Sequence, residues 1–201
     1  MVDRLILASR SPRRHELLRQ IGLNFDVIPS GVEENSIRRE SPQEHVLRLA
    51  EAKATDVGNQ YPNCWVVAAD TIVCMDSSIL GKPRDRADAR EMLHGLSGKE
   101  HWVLTGFSAC HFEKRRSDRQ AVQTAVKVKP LTPAEIEWYV QTGEPFDKAG
   151  GYAIQGIGSF MIETIRGSYT NVVGLPLCEL VQMLFRLGAI TISDCGFRFA
   201  D

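Results

Sequence analysis

Ser9-Arg10-Ser11-Pro12-Arg13-Arg14, directly behind the apolar run Leu5-Ile6-Leu7-Ala8, puts a strand, a helix start and three guanidiniums within ten residues. A helix opening at Pro12 offers free amide donors and a positive dipole end beside Ser9 and at least one arginine, a combination that favours phosphate. The plainer alternative is a surface helix capped by Ser11 with solvated arginines. Asp70-Thr71 ends the run Val66-Val67-Ala68-Ala69. That places a carboxylate where open α/β sheets form ligand crevices, the competing reading being an aspartate that caps a backbone turn. Lys82, held between Gly81 and Pro83, has a restricted backbone and a predictable direction. Lys53 ends the stripe Val46, Leu49, Ala50 and borders a buried helix face. Both lysines can also be read as solvated or snorkelling charges. Glu33-Glu34, after the turn Pro29-Ser30-Gly31, could bring one carboxylate to a hard cation or simply be two solvated loop acids. In Asp147-Lys148-Ala149-Gly150-Gly151-Tyr152-Ala153-Ile154-Gln155-Gly156, small residues let the backbone approach a flat ligand closely while the Gln155 carboxamide reads it.

Elements that would position these groups are legible around them. Ser41-Pro42-Gln43-Glu44 and Thr132-Pro133-Ala134-Glu135 each give a cap, a first-position proline and a glutamate at the third position. The first opens a helix carrying Val46, Leu47, Leu49, Ala50 and Lys53; the second carries Ile136, Trp138, Tyr139 and Val140 and ends near Gly143. Further helices are predicted over Ala87–Leu96 and from Pro176 through Leu187, with Gly188 as the stop. Strands are predicted over Leu5–Ala8, Asn24–Ile28, Trp65–Val73, Trp102–Phe112, Ala121–Val128 and Phe160–Ile165. The unbroken apolar run at Trp65–Ala69 suggests a central strand covered on both faces. Trp102–Phe112 and Ala121–Val128, joined by the charged segment Glu113–Arg119, read as an antiparallel hairpin. The interleaving implies an α/β fold with a mixed central sheet and flanking helices. Thr191–Asp201 carries no strong pattern and no assignable role.

At 201 residues the chain suits one well-buried unit or two fused lobes. A formal net charge of -1 with 24% charged residues gives no global basic field for a nucleic acid backbone, so phosphate binding must rely on local cations and a small anionic ligand. Five scattered cysteines without a C-x-x-C pair fit reduced, packed thiols. No secretory pattern follows Met1, and no apolar run approaches the roughly 18 residues of a membrane span, so a soluble cytoplasmic protein without membrane association is expected. Competing motifs fail. Gly98-Lys99-Glu100 lacks the P-loop pattern, Gly156-Ile157-Gly158 lacks the third glycine of a dinucleotide loop, the five histidines lack metal-ligand spacing, and there is no serine elbow. Covalent catalysis is not expected.

Ser9 to Leu18, Gly31 to Glu34, Ala69-Asp70-Thr71, Gly81-Lys82-Pro83-Arg84-Asp85, Leu96-Ser97-Gly98 and Asp147 to Gly156 together closely resemble the Maf family of nucleoside triphosphate pyrophosphatases, in family order, from about Leu5 to Leu187. Asp-Lys-Ala-Gly-x-Tyr-x-Ile-Gln-Gly looks like the branch acting on dTTP and UTP. The resemblance implies one Maf-like domain over residues 1–190, with two lobes around a nucleotide-binding cleft. It also implies a divalent cation (Mg2+, Mn2+ or Co2+), cleavage to the monophosphate plus pyrophosphate, and a homodimer as an assembly to expect. Carried over by position, the general base falls on Asp70, phosphate contacts on Ser9, Arg13, Arg14, Lys53 and Lys82, and the acidic metal-side residue on Glu34, with Asp70 also beside the metal. Base selection falls on Arg13, Thr71 and Gln155. This chain departs from the family at Arg10, a bulky charge beside the serine, and at Ala153, where glycine is frequent. The expected activity is pyrophosphohydrolysis of dTTP and UTP, or of modified pyrimidine triphosphates. The alternative from a different class is a nucleotide-binding regulator of cell division or septum formation with little turnover.

Overall fold

The structure is a computed structural model in which residues 3–34, 40–76 and 78–195 are described. In chain order the elements are β1 (Leu5–Leu7), α1 (Pro12–Gln20), β2 (Asp26–Val27), α2 (Pro42–Gln60), β3 (Trp65–Met75), β4 (Ser78–Leu80), α3 (Arg86–Leu96), β5 (Glu100–His111), β6 (Arg116–Val128), α4 (Pro133–Gln141), β7 (Ile162–Arg166), α5 (Tyr169–Val173) and α6 (Leu177–Leu187). The strands form a seven-stranded sheet ordered β2-β1-β3-β5-β6-β7, with β4 pairing β3. β1 is parallel to both β2 and β3, whereas β3–β4 and β6–β7 are antiparallel, so the α/β fold has a mixed sheet with flanking helices, as its sequence implies.

Two compact units share the chain. The first takes residues up to Asp70, Thr105–Ala121 and residues from Gly174 onward; the second takes Thr71–Leu104 and Val122–Val173. In the first unit, Ile6, Ala8, Ala54, Val57, Cys64, Val66, Ala68 and Cys110 form a core bordered by Ile28, Tyr61 and Phe112. Trp65 through Ala69 are each 0% exposed, which accounts for their unbroken apolar run: this part of β3 is covered on both faces. Helix α2 begins with a complete capping box. Ser41 Oγ accepts from the Glu44 amide, and the Glu44 carboxylate accepts from the Ser41 amide, an arrangement worth about 1 kcal/mol. Gly106 on β5 faces this helix so closely that a Cβ there would lie 2.3 Å from the Val46 carbonyl oxygen, so only glycine fits.

In the second unit, Val73, Leu93, Leu96, Val103, Val126, Ile136, Tyr139 and Met161 are among the residues of a separate core. Helix α4 repeats the capping box with Thr132 and Glu135. Gly188 ends α6 in the first unit with φ 69°, the left-handed residue anticipated at that position.

Several expectations need correction. Ser11 occupies the N-cap position of α1, but its side chain makes no capping bond; its backbone amide instead donates to Ser9 Oγ at 3.2 Å. Arg116–Arg119, read as part of the charged connector, belong to β6, because Arg115 takes a left-handed φ of 52° and closes the turn early. The charges beyond it have partners: Arg116 on the Leu187 carbonyl, Asp118 on Arg186 and Arg119 on Glu51. The strand placed at Phe160 starts at Ile162, preceded by a 3-10 turn over Ile157–Met161. The Asn24–Ile28 strand is reduced to β2, and β4 and α5 were not anticipated. Cys178 is exposed, whereas the other four cysteines are buried. In the C-terminal stretch, Thr191 and Asp194 form a capping box over Ile192–Asp194; residues 196–201 lie outside the described residues.

Candidate active site

In the first unit, the α2 stripe that buries Val46, Leu49, Ala50, Ala54 and Val57 also buries Lys53, which is only 7% exposed. A buried ammonium is tolerated only when paired. Its Nζ donates to Asp70 Oδ1 at 2.7 Å and to Glu34 Oε1 at 2.6 Å. Asp70 is 6% exposed and closes the first buried run of β3, just before half-buried Thr71, whereas the Glu34 side chain is open to solvent. Asp70 therefore accepts from a lysine side chain, which answers the question of what its charge is for. Two carboxylates thus share one ammonium, within the field of the neighbouring Arg14 guanidinium.

The turn between β1 and α1 is built around Ser9, itself 6% exposed. Ser9 Oγ accepts from the Ser11 amide at 3.2 Å and from Arg14 Nη1 at 3.3 Å, so its own proton is directed elsewhere. The Ser9 carbonyl lies 2.8 Å from His15 Nε2; since a carbonyl only accepts, Nε2 carries the proton. Arg14 is half-buried and reaches two further carbonyls, with Nη1 donating to Ala69 O at 2.8 Å and Nε to Gly174 O at 2.7 Å. Desolvation lowers the pKa of this guanidinium, opposed by the attraction of Asp70 and Glu34 and reinforced by Arg13. Arg13, half-buried in the first turn of α1, supplies a second positive charge to the same neighbourhood. The structure thus gathers Ser9, Arg13, Arg14, Glu34, Lys53 and Asp70 into one constellation.

Thr71, Lys82 and Gln155 belong to the second unit. Thr71 is half-buried on β3, next in the chain to Asp70, and Lys82 is exposed beside the buried Pro83. The segment carrying Gln155 is joined to that lysine turn by the Gly150 amide, which donates to Gly81 O at 2.9 Å. Gly150 and Gly151 both have left-handed φ, and a Cβ at Gly151 would meet Pro83 at 3.1 Å, so this close approach explains the glycine pair. Gln155 itself is half-buried.

Sequence reasoning passed over three groups that hold these residues in place. One is His15, described above. Another is Glu40, whose carboxylate accepts from Arg48 Nε at 2.6 Å and Nη2 at 2.9 Å and lies 3.0 Å from His45 Nδ1, fixing the approach to α2. The third is His101, whose Nε2 is 2.6 Å from the Tyr152 hydroxyl and whose pKa burial lowers to about 4. The i, i+3 spacing of His45 and Arg48 on one helix was the only local signal for any of them.

A family model described as Maf-like protein matches residues 4–187 of the chain. A protein of Syntrophus aciditrophicus (strain SB) named dTTP/UTP pyrophosphatase is 50% identical over 193 residues, covering 96% of this chain and 94% of its own. Another of that name, from Syntrophotalea carbinolica, is 50% identical over 190 residues, covering 94% of this chain and 86% of its own. Among solved structures, the Staphylococcus aureus Ham1 protein aligns over 92% of this chain and 98% of its own at 14% identity and a TM-score of 0.46. With the family model spanning nearly all of both units and half of the residues shared with these relatives, the chain belongs to the Maf-like protein family.

Proposed function

We propose that this chain is a nucleoside triphosphate pyrophosphohydrolase that cleaves dTTP and UTP to the monophosphate and pyrophosphate. Relatives that are 50% identical over nearly the whole chain carry the name dTTP/UTP pyrophosphatase. The observation that carries the chemistry is the buried Lys53 bridging Asp70 and Glu34 beside the Ser9–Arg14 turn.

Asp70 acts as the general base. With Oδ1 held by Lys53, the carboxylate is fixed in orientation, and Oδ2 takes a proton from a water whose oxygen attacks the α-phosphorus. The new phosphorus–oxygen bond forms as the bond to the β-phosphate bridging oxygen breaks, and pyrophosphate leaves with that electron pair. Lys53 holds the base in place through its bond to Oδ1, and the Ser9 hydroxyl, Arg13, Arg14 and Lys82 are assigned to the phosphate oxygens. Little covalent work is asked of the protein, because phosphoryl transfer depends mainly on positioning and charge stabilisation. Thr71 and Gln155 are assigned to the base; the Gln155 carboxamide has one donor side and one acceptor side to match O4 and N3–H of uracil or thymine.

Among the described residues no group of three or more His, Cys, Asp or Glu side chains is arranged to hold a metal ion. Glu34 and Asp70 do fit the sparser donor set of a cation such as Mg2+, which takes one or two carboxylates and completes its shell with water and substrate phosphates. Bound there, a divalent cation would neutralise phosphate charge.

The test is to incubate the purified protein with a panel of nucleoside triphosphates and a divalent cation and to separate pyrophosphate from orthophosphate. Pyrophosphate and monophosphate in equal amounts, formed fastest from UTP and dTTP, are expected. Orthophosphate as the first product, or tight nucleotide binding without turnover, would overturn the proposal.

A further inference from the structure

We propose that Glu144 is a positioning residue for nucleobase selection, fixing the backbone on the far side of Gln155 through a carboxylate clamp. The inference rests on the reading of Gln155 as the base-reading side chain. Glu144 Oε1 accepts from the Gly158 amide at 2.9 Å and from the Tyr139 hydroxyl at 2.9 Å, while Oε2 accepts from the Ile157 amide at 3.0 Å. The contact reaches Gly156, the residue after Gln155, where a Cβ would lie 2.8 Å from Glu144 Oε2. Gly156 has φ 75° and ψ -150°, a conformation that only glycine adopts readily. A Cβ at Gly158 would lie 2.7 Å from both the Tyr139 hydroxyl and the Ala153 carbonyl oxygen, so Tyr139 presses on the same stretch.

The opposite side of Gln155 is held independently. Tyr152, buried, places its hydroxyl 2.6 Å from His101 Nε2. Gln155 is therefore three residues from an anchor in each direction, at Tyr152 and at Gly158. A side chain that reads a base by one donor and one acceptor needs its own backbone fixed to a fraction of an ångström, and two anchors that close leave it little freedom. Desolvation pushes the Glu144 carboxyl up, but the amides of Gly158 and Ile157 and the Tyr139 hydroxyl outweigh it and its pKa is lowered, so the clamp is anionic. Tyr139, whose pKa burial and Glu144 raise, stays protonated and donates. Lys148 Nζ donates to the Glu144 carbonyl at 2.8 Å, fixing the clamp's own backbone.

Glutamine cannot replace this carboxylate. Three N–H and O–H donors converge on its two oxygens, and an amide nitrogen in place of either oxygen would face a donor with a donor. Glu144→Gln is therefore expected to raise KM for UTP and dTTP and to lower their kcat/KM preference over CTP and GTP by about tenfold, the usual scale of an unmet polar group. By contrast, kcat should stay within about twofold, because the clamp does not touch the phosphates. A loss of folded protein would scale every nucleotide alike, so the selectivity ratio separates positioning from mere support.

The experiment measures kcat and KM for UTP, dTTP, CTP and GTP in the wild type, Glu144→Gln, Tyr139→Phe and Gln155→Ala, with a thermal melt of each. Loss of preference in both Glu144→Gln and Gln155→Ala is the expected result. A folded Glu144→Gln with wild-type preference, alongside a Gln155→Ala that has lost it, would overturn the role of Glu144 and leave the Gln155 reading standing. Unchanged preference in Gln155→Ala would overturn the reading itself and, with it, any action of Glu144 through that side chain. If Glu144→Gln does not fold, Tyr139→Phe, which removes one bond to the same carboxylate, decides: reduced preference supports the clamp and unchanged preference overturns it.

Discussion

Asp70→Asn lowers the rate of pyrophosphate release from UTP and dTTP by about a hundredfold or more, the usual contribution of a general base. The amide is almost isosteric with the carboxylate but cannot take a proton, so the loss should lie in kcat while KM changes little. Lys53 Nζ can still donate to an amide oxygen there and retains Glu34 as its second partner. The stability cost is therefore that of one weakened charge-assisted bond, about 1–3 kcal/mol. A protein of ordinary stability, about 5–15 kcal/mol, remains folded after such a loss. A hundredfold drop, about 2.7 kcal/mol in the barrier, would then be a chemical effect and not a shortage of folded enzyme. Steady-state assays of Asp70→Asn beside a thermal melt check both halves. Turnover within about threefold of wild type would remove Asp70 from the chemistry.

What was legible in the sequence was local. The starts of α1, α2 and α4 followed from Pro12, from Ser41 with Glu44 and from Thr132 with Glu135, because a helix start is decided by a few adjacent residues. The buried run at Trp65–Ala69 announced its own environment, and Lys53 could be placed at the edge of a buried stripe by spacing alone. What Lys53 does there could not be read, since its partners Glu34 and Asp70 lie 19 and 17 residues away and are chosen by how α2 meets β3. Ser11 shows the limit of local rules. Its type and position satisfied the capping rule, yet its hydroxyl makes no capping bond, while its backbone amide and the Arg14 side chain both donate to Ser9 Oγ. Glu144 was invisible for the same reason, its clamp spanning 13 and 14 residues to backbone amides that carry no sequence signature.

Arg14→Ala is expected to destabilise the protein by about 2–4 kcal/mol, because two main-chain carbonyls lose a charged donor and the turn loses packing. The guanidinium joins Ser9 at the β1–α1 turn, Ala69 on β3 and Gly174 ahead of α6, positions separated from it by 5, 55 and 160 residues. Few side chains can do this: the donors must diverge from one rigid plane, as a guanidinium's do and an ammonium's do not. Removing Arg14 also removes its own desolvation cost, which offsets part of the loss and keeps the figure below that of a broken, fully buried ion pair. For a chain of this size each kcal/mol moves the thermal midpoint by roughly 2–4 °C, so a fall of roughly 5–15 °C is expected. Arg14→Lys should recover charge but not the three-way brace, and its midpoint should lie nearer to alanine than to wild type. Because Ala69 directly precedes Asp70, loosening the brace also frees the base from its fixed orientation. Both variants should then lose kcat at temperatures where they are still folded. A midpoint within about 2 °C of wild type for Arg14→Ala would show that the three acceptors are satisfied without it, and Arg14 would be left with charge alone to contribute.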